Sequence, residues 1–116
     1  MTPIVLPWPQ AALSPNARVH HMARARAAAK AREQAALLAR AARIVLPDEG
    51  AIAVRIEACP PKGWRTGDLD NMLARLKPVL DGLADGLGVN DRRFRPALSF
   101  GDRCQHGAVH ITVEAA

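Results

Sequence analysis

In this 116-residue chain, the side chains best suited to chemistry are the carboxylates of Asp68-Leu69-Asp70-Asn71 and of Asn90-Asp91. Where a chain enters a helix from an extended segment, residues two apart point the same way, so Asp68 and Asp70 can share one site and Asp91 can close it. Three hard oxygen donors suit Mg²⁺ or Mn²⁺, which keep part of their water shell and bind phosphate oxygens directly. A plainer reading is also open. An aspartate ahead of a helix caps its first amides and stabilises it by about 1 kcal/mol. Two carboxylates about 4 Å apart repel by roughly 4 kcal/mol at an effective dielectric of about 20, so their convergence would call for a cation between them. On a helical wheel Asp70, Lys77 and Asp81 fall within about 40° of one another, on the border between an apolar stripe and solvent. Lys77 and Asp81 also have the spacing of an ordinary i,i+4 surface ion pair.

These side chains need elements to hold them. Ile4-Val5-Leu6 reads as a short edge strand stopped by Pro7-Trp8-Pro9. Ser14-Pro15 signals a helix start, and helix-forming residues dominate from Arg18 to Arg43, with Ala23, Ala27, Ala31, Leu38 and Ala42 as a small-residue seam. Pro47-Asp48-Glu49-Gly50 is a turn; Ile52, Val54 and Ile56 then alternate with Arg55 and Glu57 in a half-buried strand. A loop begins at Pro60-Pro61-Lys62-Gly63 and runs through Trp64, Arg65, Thr66 and Gly67. The second helix carries a core-facing stripe of Leu69, Met72, Leu73, Leu76, Val79, Leu80, Leu83 and Leu87 and ends near Gly86 or Gly88. Alternating segments around Ala97 to Phe100 and Val109 to Val113 complete the order β-α-β-α-β-β. The expectation is a single two-layer α/β domain over residues 1–116, a small mixed sheet with two main helices.

Composition narrows the function classes. With 49% hydrophobic and 23% charged residues the chain is globular, and no apolar run approaches the roughly 18 residues of a membrane span. The first nine residues lack a basic region before their broken apolar run, so neither a signal nor a transit peptide is expected, and the expected location is the cytoplasm. Cys59 and Cys104 have no metal-binding spacing and read as reduced, structural thiols; Cys104-Gln105-His106 is too sparse for zinc. The net charge is +5. Arg18, Arg24, Arg26, Lys30, Arg32, Arg40 and Arg43 face Glu33 alone between residues 18 and 43, so one helix carries +6 and the rest of the chain −1. Such a field attracts a polyanion, with a phosphate backbone the first candidate, although a solvated basic helix has the same composition.

Taken in order, Leu6-Pro7-Trp8-Pro9, Ser14-Pro15-Asn16, Asp68-Leu69-Asp70-Asn71, the Lys77-to-Asp81 spacing and Asn90-Asp91 resemble the RusA Holliday junction resolvases of bacteria and prophages, over nearly the whole chain. The resemblance implies a homodimeric, Mg²⁺-dependent endonuclease, with Mn²⁺ able to substitute, that nicks four-way DNA junctions symmetrically in recombination and repair. It assigns Asp68, Asp70 and Asp91 as the metal-binding carboxylates and Lys77 as their essential basic partner. There are departures from the pattern. Lys77 stands seven residues after Asp70 where the family has four, a distance of about 10 Å along a straight helix. Pro78 removes a hydrogen bond to the carbonyl of Ala74, and a kink there would absorb the offset. Residues 10–13 are an insertion, and Asn90 replaces an acid.

In that reading Arg18, Arg24, Arg26, Lys30, Lys62, Arg65, Arg92 and Arg93 contact DNA phosphates. Trp8 is expected to pack between its prolines, while Trp64, beside the acidic block, is placed to stack on splayed bases. His20 and His21 extend the basic helix start, and His110 faces solvent. The other functional class is a non-catalytic DNA-binding or inhibitory prophage module, in which the displaced lysine marks lost activity. A third is a small domain whose basic face meets an acidic protein.

Overall fold

A computed structural model of the chain describes residues 3–64 and 69–116. Four strands, β1 (Ile4–Pro7), β2 (Ile52–Cys59), β3 (Phe94–Phe100) and β4 (Ala108–Ala115), form one sheet in the order β1-β4-β2-β3. β4 runs antiparallel to both β1 and β2, and β2 pairs parallel with β3. Three helices, α1 (His21–Ala42), α2 (Leu69–Arg75) and α3 (Lys77–Leu87), and two 3₁₀ turns, Ala11–Leu13 and Asp91–Arg93, complete it. The mixed α/β architecture matches the sequence reading, but the order is β-α-β-α-α-β-β, because the expected second helix is two helices. Among the described residues no helix is long and apolar enough to cross a membrane.

Register aligns the apolar alternations. Ile4, Ile111, Ile56 and Leu98 form one row across all four strands, beside a row of Val113, Val54 and Pro96. The side chains of Val54, Ile56, Val109, Ile111 and Val113 are buried with Leu76, Val79, Leu80 and Leu83 in a single core. Arg55 and Glu57 alternate outward, and Arg55 pairs with Glu114 at 2.8 Å on that second face.

α1 is held closer to α3 than ordinary side chains allow. A β-carbon at Gly82 would collide with the backbone carbonyl oxygen of Arg32, and one at Gly86 with that of Ala36, while the methyls of Ala35 and Ala39 fill the space alongside. The alanine seam of α1 therefore differs from the expected one. Ala35, Ala36 and Ala39 are buried along with Ala27, whereas Ala23 is half-buried and Ala42 exposed. The helix starts at His21, where the His20 ring accepts from the Met22 amide at 3.1 Å, not at Arg18.

The break between α2 and α3 falls at Leu76 (φ −89°, ψ −2°). Pro78 lies in the first turn of α3, where no intrahelical amide partner is required, so it starts a new helix instead of kinking a long one. Reorientation at the break removes two residues from the expected stripe: Leu69 and Leu73 are 50% and 37% exposed, while Met72 and Leu76 stay buried. α3 ends on Gly88 (φ 68°), whose amide reaches back to the Asp85 carbonyl at 3.3 Å while that of Val89 reaches Ala84 at 3.1 Å.

Helix propensity alone predicts that Gly82→Ala stabilises α3 by about 1 kcal/mol. The contact with α1 reverses the sign: a net loss of about 1–3 kcal/mol is expected from overpacking, read as a lower urea midpoint at unchanged m-value.

Candidate functional site

Two clasps tie the N-terminal segment to α2. The Asn71 amide donates to the Ser14 hydroxyl at 3.3 Å, and the buried Arg75 guanidinium donates to the Pro9 carbonyl at 2.5 Å while lying 6.0 Å over the Trp8 ring. Burial lowers the Arg75 pKa, yet an arginine remains charged there. Among the described residues its Nε has no hydrogen-bond partner. These contacts hold α2 near its start and at its end, and from its first turn Asp70, exposed, lines a groove with Leu73, Ala74, Lys77, Leu80 and Pro96.

Lys77 is the first residue of α3 and joins separate stretches of chain. Its ammonium donates to Asp81 Oδ1 at 2.7 Å and to Asp91 Oδ2 at 3.4 Å. The turn closed by Gly88 sends the chain back along α3, and the Asn90 side chain accepts from the Arg92 amide at 2.9 Å, capping the 3₁₀ turn that opens with Asp91. The hydrogen bond to Asp81 raises the Lys77 pKa above the usual lysine value, and the bond to Asp91 adds to it. On the far side of this acidic line Arg32 of α1 grips Asp85 with two bonds, 2.6 and 3.0 Å. Asp85 is held below the usual carboxylate value by its hydrogen bond with Arg32. Arg32, Asp81, Asp85, Asn90 and Asp91 line a second groove beside the first.

The structure therefore brings Lys77 and Asp91 together and puts Asp70 and Lys77 in one groove. Asp68 lies outside the described residues, as does Arg65. Among the described residues no group of three His, Cys, Asp or Glu side chains is arranged to hold a metal ion. The donors present, carboxylate oxygens with neither thiol nor imidazole lining either groove, are those of a hard divalent cation. Nothing in the sequence assigns Asp81 or the Arg32–Asp85 pair to the site. The i,i+4 spacing gave the Lys77–Asp81 bond, but nothing local signals that Arg32 meets a residue 53 positions away.

The basic residues divide into two groups. Arg18, Arg26, Lys30, Lys62 and Arg92 are exposed. Arg24 donates to the Ala17 carbonyl at 2.8 Å, and Arg93 to the Gly50 and Pro47 carbonyls at 2.9 and 2.6 Å, so both are engaged in holding backbone. Trp8 packs as expected. Trp64, expected to stack on bases, meets Trp8 edge-on at 5.1 Å and Phe100 at 5.6 Å, and Arg103 donates to its carbonyl, so the ring is part of a packed cluster. Both cysteines are free thiols; although distant in sequence they are neighbours, with Cys104 Sγ 3.8 Å from the Cys59 carbonyl, and burial pushes the Cys59 thiol pKa up. His110 is half-buried in β4 rather than open to solvent.

No protein-family model matches the chain. An uncharacterized protein of Xylella fastidiosa (strain Temecula1 / ATCC 700964) is 45% identical to it over 117 residues, covering 97% of this chain and 76% of that protein.

Because the folded-state pKa of Asp85 is depressed, the stability it contributes is present above the ordinary carboxylate pKa and is lost as pH falls through the depressed one. The difference in unfolding free energy between wild type and Asp85→Asn should be level from about pH 5 to 7 and close below about pH 4. Denaturant titrations across that range check it.

Proposed function

This chain belongs to the same family as the Xylella fastidiosa protein, and we propose that it is a RusA-like, Mg²⁺-dependent endodeoxyribonuclease that resolves four-way DNA junctions as a cytoplasmic homodimer. The observation that carries the reading is the Lys77 ammonium set between Asp81 and Asp91, with Lys77 also lining the groove that holds Asp70. The ordered sequence resemblance predicts that Lys77 and two of the three carboxylates work together, and that juxtaposition supports it.

Asp70, Asp91 and Asp68 would hold the ion, which when bound lowers the pKa of a water and neutralises charge on the phosphate. Lys77, fixed by its carboxylate partners, places a positive charge where the scissile phosphate or the leaving oxygen gains negative charge. Placement matters more than basicity in that role, so an ammonium held tightly and fully protonated suits it. What supports Lys77 in this role is that α3 begins with it, after the residues that complete α2, and its ammonium donates to Asp91. Arg26 and Lys30 on α1, Arg18 just before it, and Lys62 and Arg92 supply exposed cations for flanking phosphates. Their field offsets the repulsion between the carboxylates and DNA. A two-fold junction cut by two identical sites gives dimerisation its physical motive.

Incubation of a synthetic four-way junction with the protein and Mg²⁺ should give paired nicks. Asp70→Asn and Asp91→Asn should each lower the nicking rate by at least about 10²-fold while junction binding in gel shifts persists. Salt-sensitive junction binding without nicking by the wild type, with either Mg²⁺ or Mn²⁺, would instead identify a non-catalytic DNA-binding module. No junction affinity at moderate salt would overturn DNA as the partner.

A further inference from the structure

We infer that Asp81 is a positioning residue for Lys77, holding its ammonium at the edge of the acidic groove where it can act together with Asp91; the inference rests on the nuclease reading for its functional consequence. Three observations lead to it. First, the two bonds of the ammonium are unequal: 2.7 Å to Asp81 and 3.4 Å to Asp91. Asp81 is the principal partner, and Asp91 is left with most of its capacity to bind something else. Second, the three side chains differ in fixity. Asp81 is 27% exposed against 44% for Asp91 and 62% for Lys77. It stands between Leu80 and Gly82, both buried, at the turn of α3 pressed onto α1, so packing holds its backbone on both sides. Third, the neighbouring carboxylate is already committed, since Asp85 accepts from Nε and Nη2 of Arg32. Asp81 is thus the carboxylate matched to Lys77, and with an ammonium against it, it is not a further metal ligand.

The physical consequence concerns conformational freedom. Lysine has a flexible four-carbon stem, and at the exposed start of a helix it samples many rotamers. Bound to Asp91 alone, it would neutralise the carboxylate required by a divalent cation; without either partner it would sweep through solvent. Asp81 draws it off Asp91 without letting it leave. An isolated i,i+4 ion pair on a helix surface has neither effect and contributes only a small stability increment.

The test compares wild type, Asp81→Asn, Asp81→Glu, Lys77→Ala and the Lys77→Ala/Asp81→Asn double variant, each first shown to keep the wild-type circular dichroism. In proton–nitrogen spectra of the lysine ammonium groups, a Lys77 resonance assigned by its disappearance in Lys77→Ala should be sharp in wild type, lost through rapid exchange in Asp81→Asn and present again in Asp81→Glu. On junction DNA, Asp81→Asn should lower kcat about tenfold with KM within about twofold, Asp81→Glu should recover most of the rate, and Asp81→Asn should add nothing in the Lys77→Ala background. An unchanged Lys77 resonance in Asp81→Asn would overturn the inference. So would a further loss of rate when Asp81→Asn is added to Lys77→Ala, because Asp81 would then act in its own right. If the wild type nicks no junction, the nuclease reading fails while the ammonium spectra still decide whether Asp81 positions Lys77.

Discussion

The arrangement of this protein depends on the contact between the backbones of α1 and α3. Gly82 and Gly86 present no side chain, and Ala35, Ala36 and Ala39 present almost none, so the helices meet at their main chains. Dispersion and area burial are gained from many close atom pairs at once, and little freedom of adjustment remains. α3 then has one position over the sheet, and everything it carries is fixed with it: Lys77 at its start, Asp81 and Asp85 on its open side, and the Gly88 turn that returns Asp91 toward Lys77. The same contact sets Arg32 opposite Asp85, so the positively charged helix borders the acidic line directly.

The split between α2 and α3 is the second determinant. A continuous helix would put Leu69 and Leu73 in the core and carry Lys77 two turns beyond Asp70. Ending α2 at Arg75 and restarting at Lys77 keeps Met72 and Leu76 buried, releases Leu69 and Leu73 to the surface, and lets Asp70 and Lys77 line the same groove. α2 is short and would be marginal alone. Its stability comes from outside itself, from the Arg75 guanidinium clasped by Trp8 and Pro9 and from the Asn71–Ser14 bond. The proline- and serine-containing motifs near the N-terminus thus act as the mount for the helix that carries Asp70.

Charge is segregated over a short distance. The exposed cations of α1 and the carboxylates of α3 and the Asp91 turn sit on adjoining helices, joined by Arg32 and Asp85. The internal pairs, Lys77 with Asp81 and Arg32 with Asp85, neutralise the acidic line locally. Arg18, Arg26, Lys30 and Arg92 are exposed and keep their charge toward solvent.

Local pattern in the sequence determined the strands, the long basic helix, the glycine stop at Gly88 and the i,i+4 bond of Lys77 to Asp81, because alternation, propensity, left-handed backbone and helical spacing act over a few residues. It also singled out Asp70, Lys77 and Asp91 among the residues that line the candidate site. Only the tertiary structure decided which of them meet. Whether Pro78 kinks one helix or begins another depends on what the flanking turns pack against, and the α1 seam shifted because its partner surface is a pair of glycines 47 or more residues away. Arg93 and Trp64 look like free DNA-contacting side chains in the sequence, yet one holds the turn before β2 and the other fills an aromatic cluster. Contacts between distant residues depend on where the whole core places their backbones, and no window of sequence contains that information.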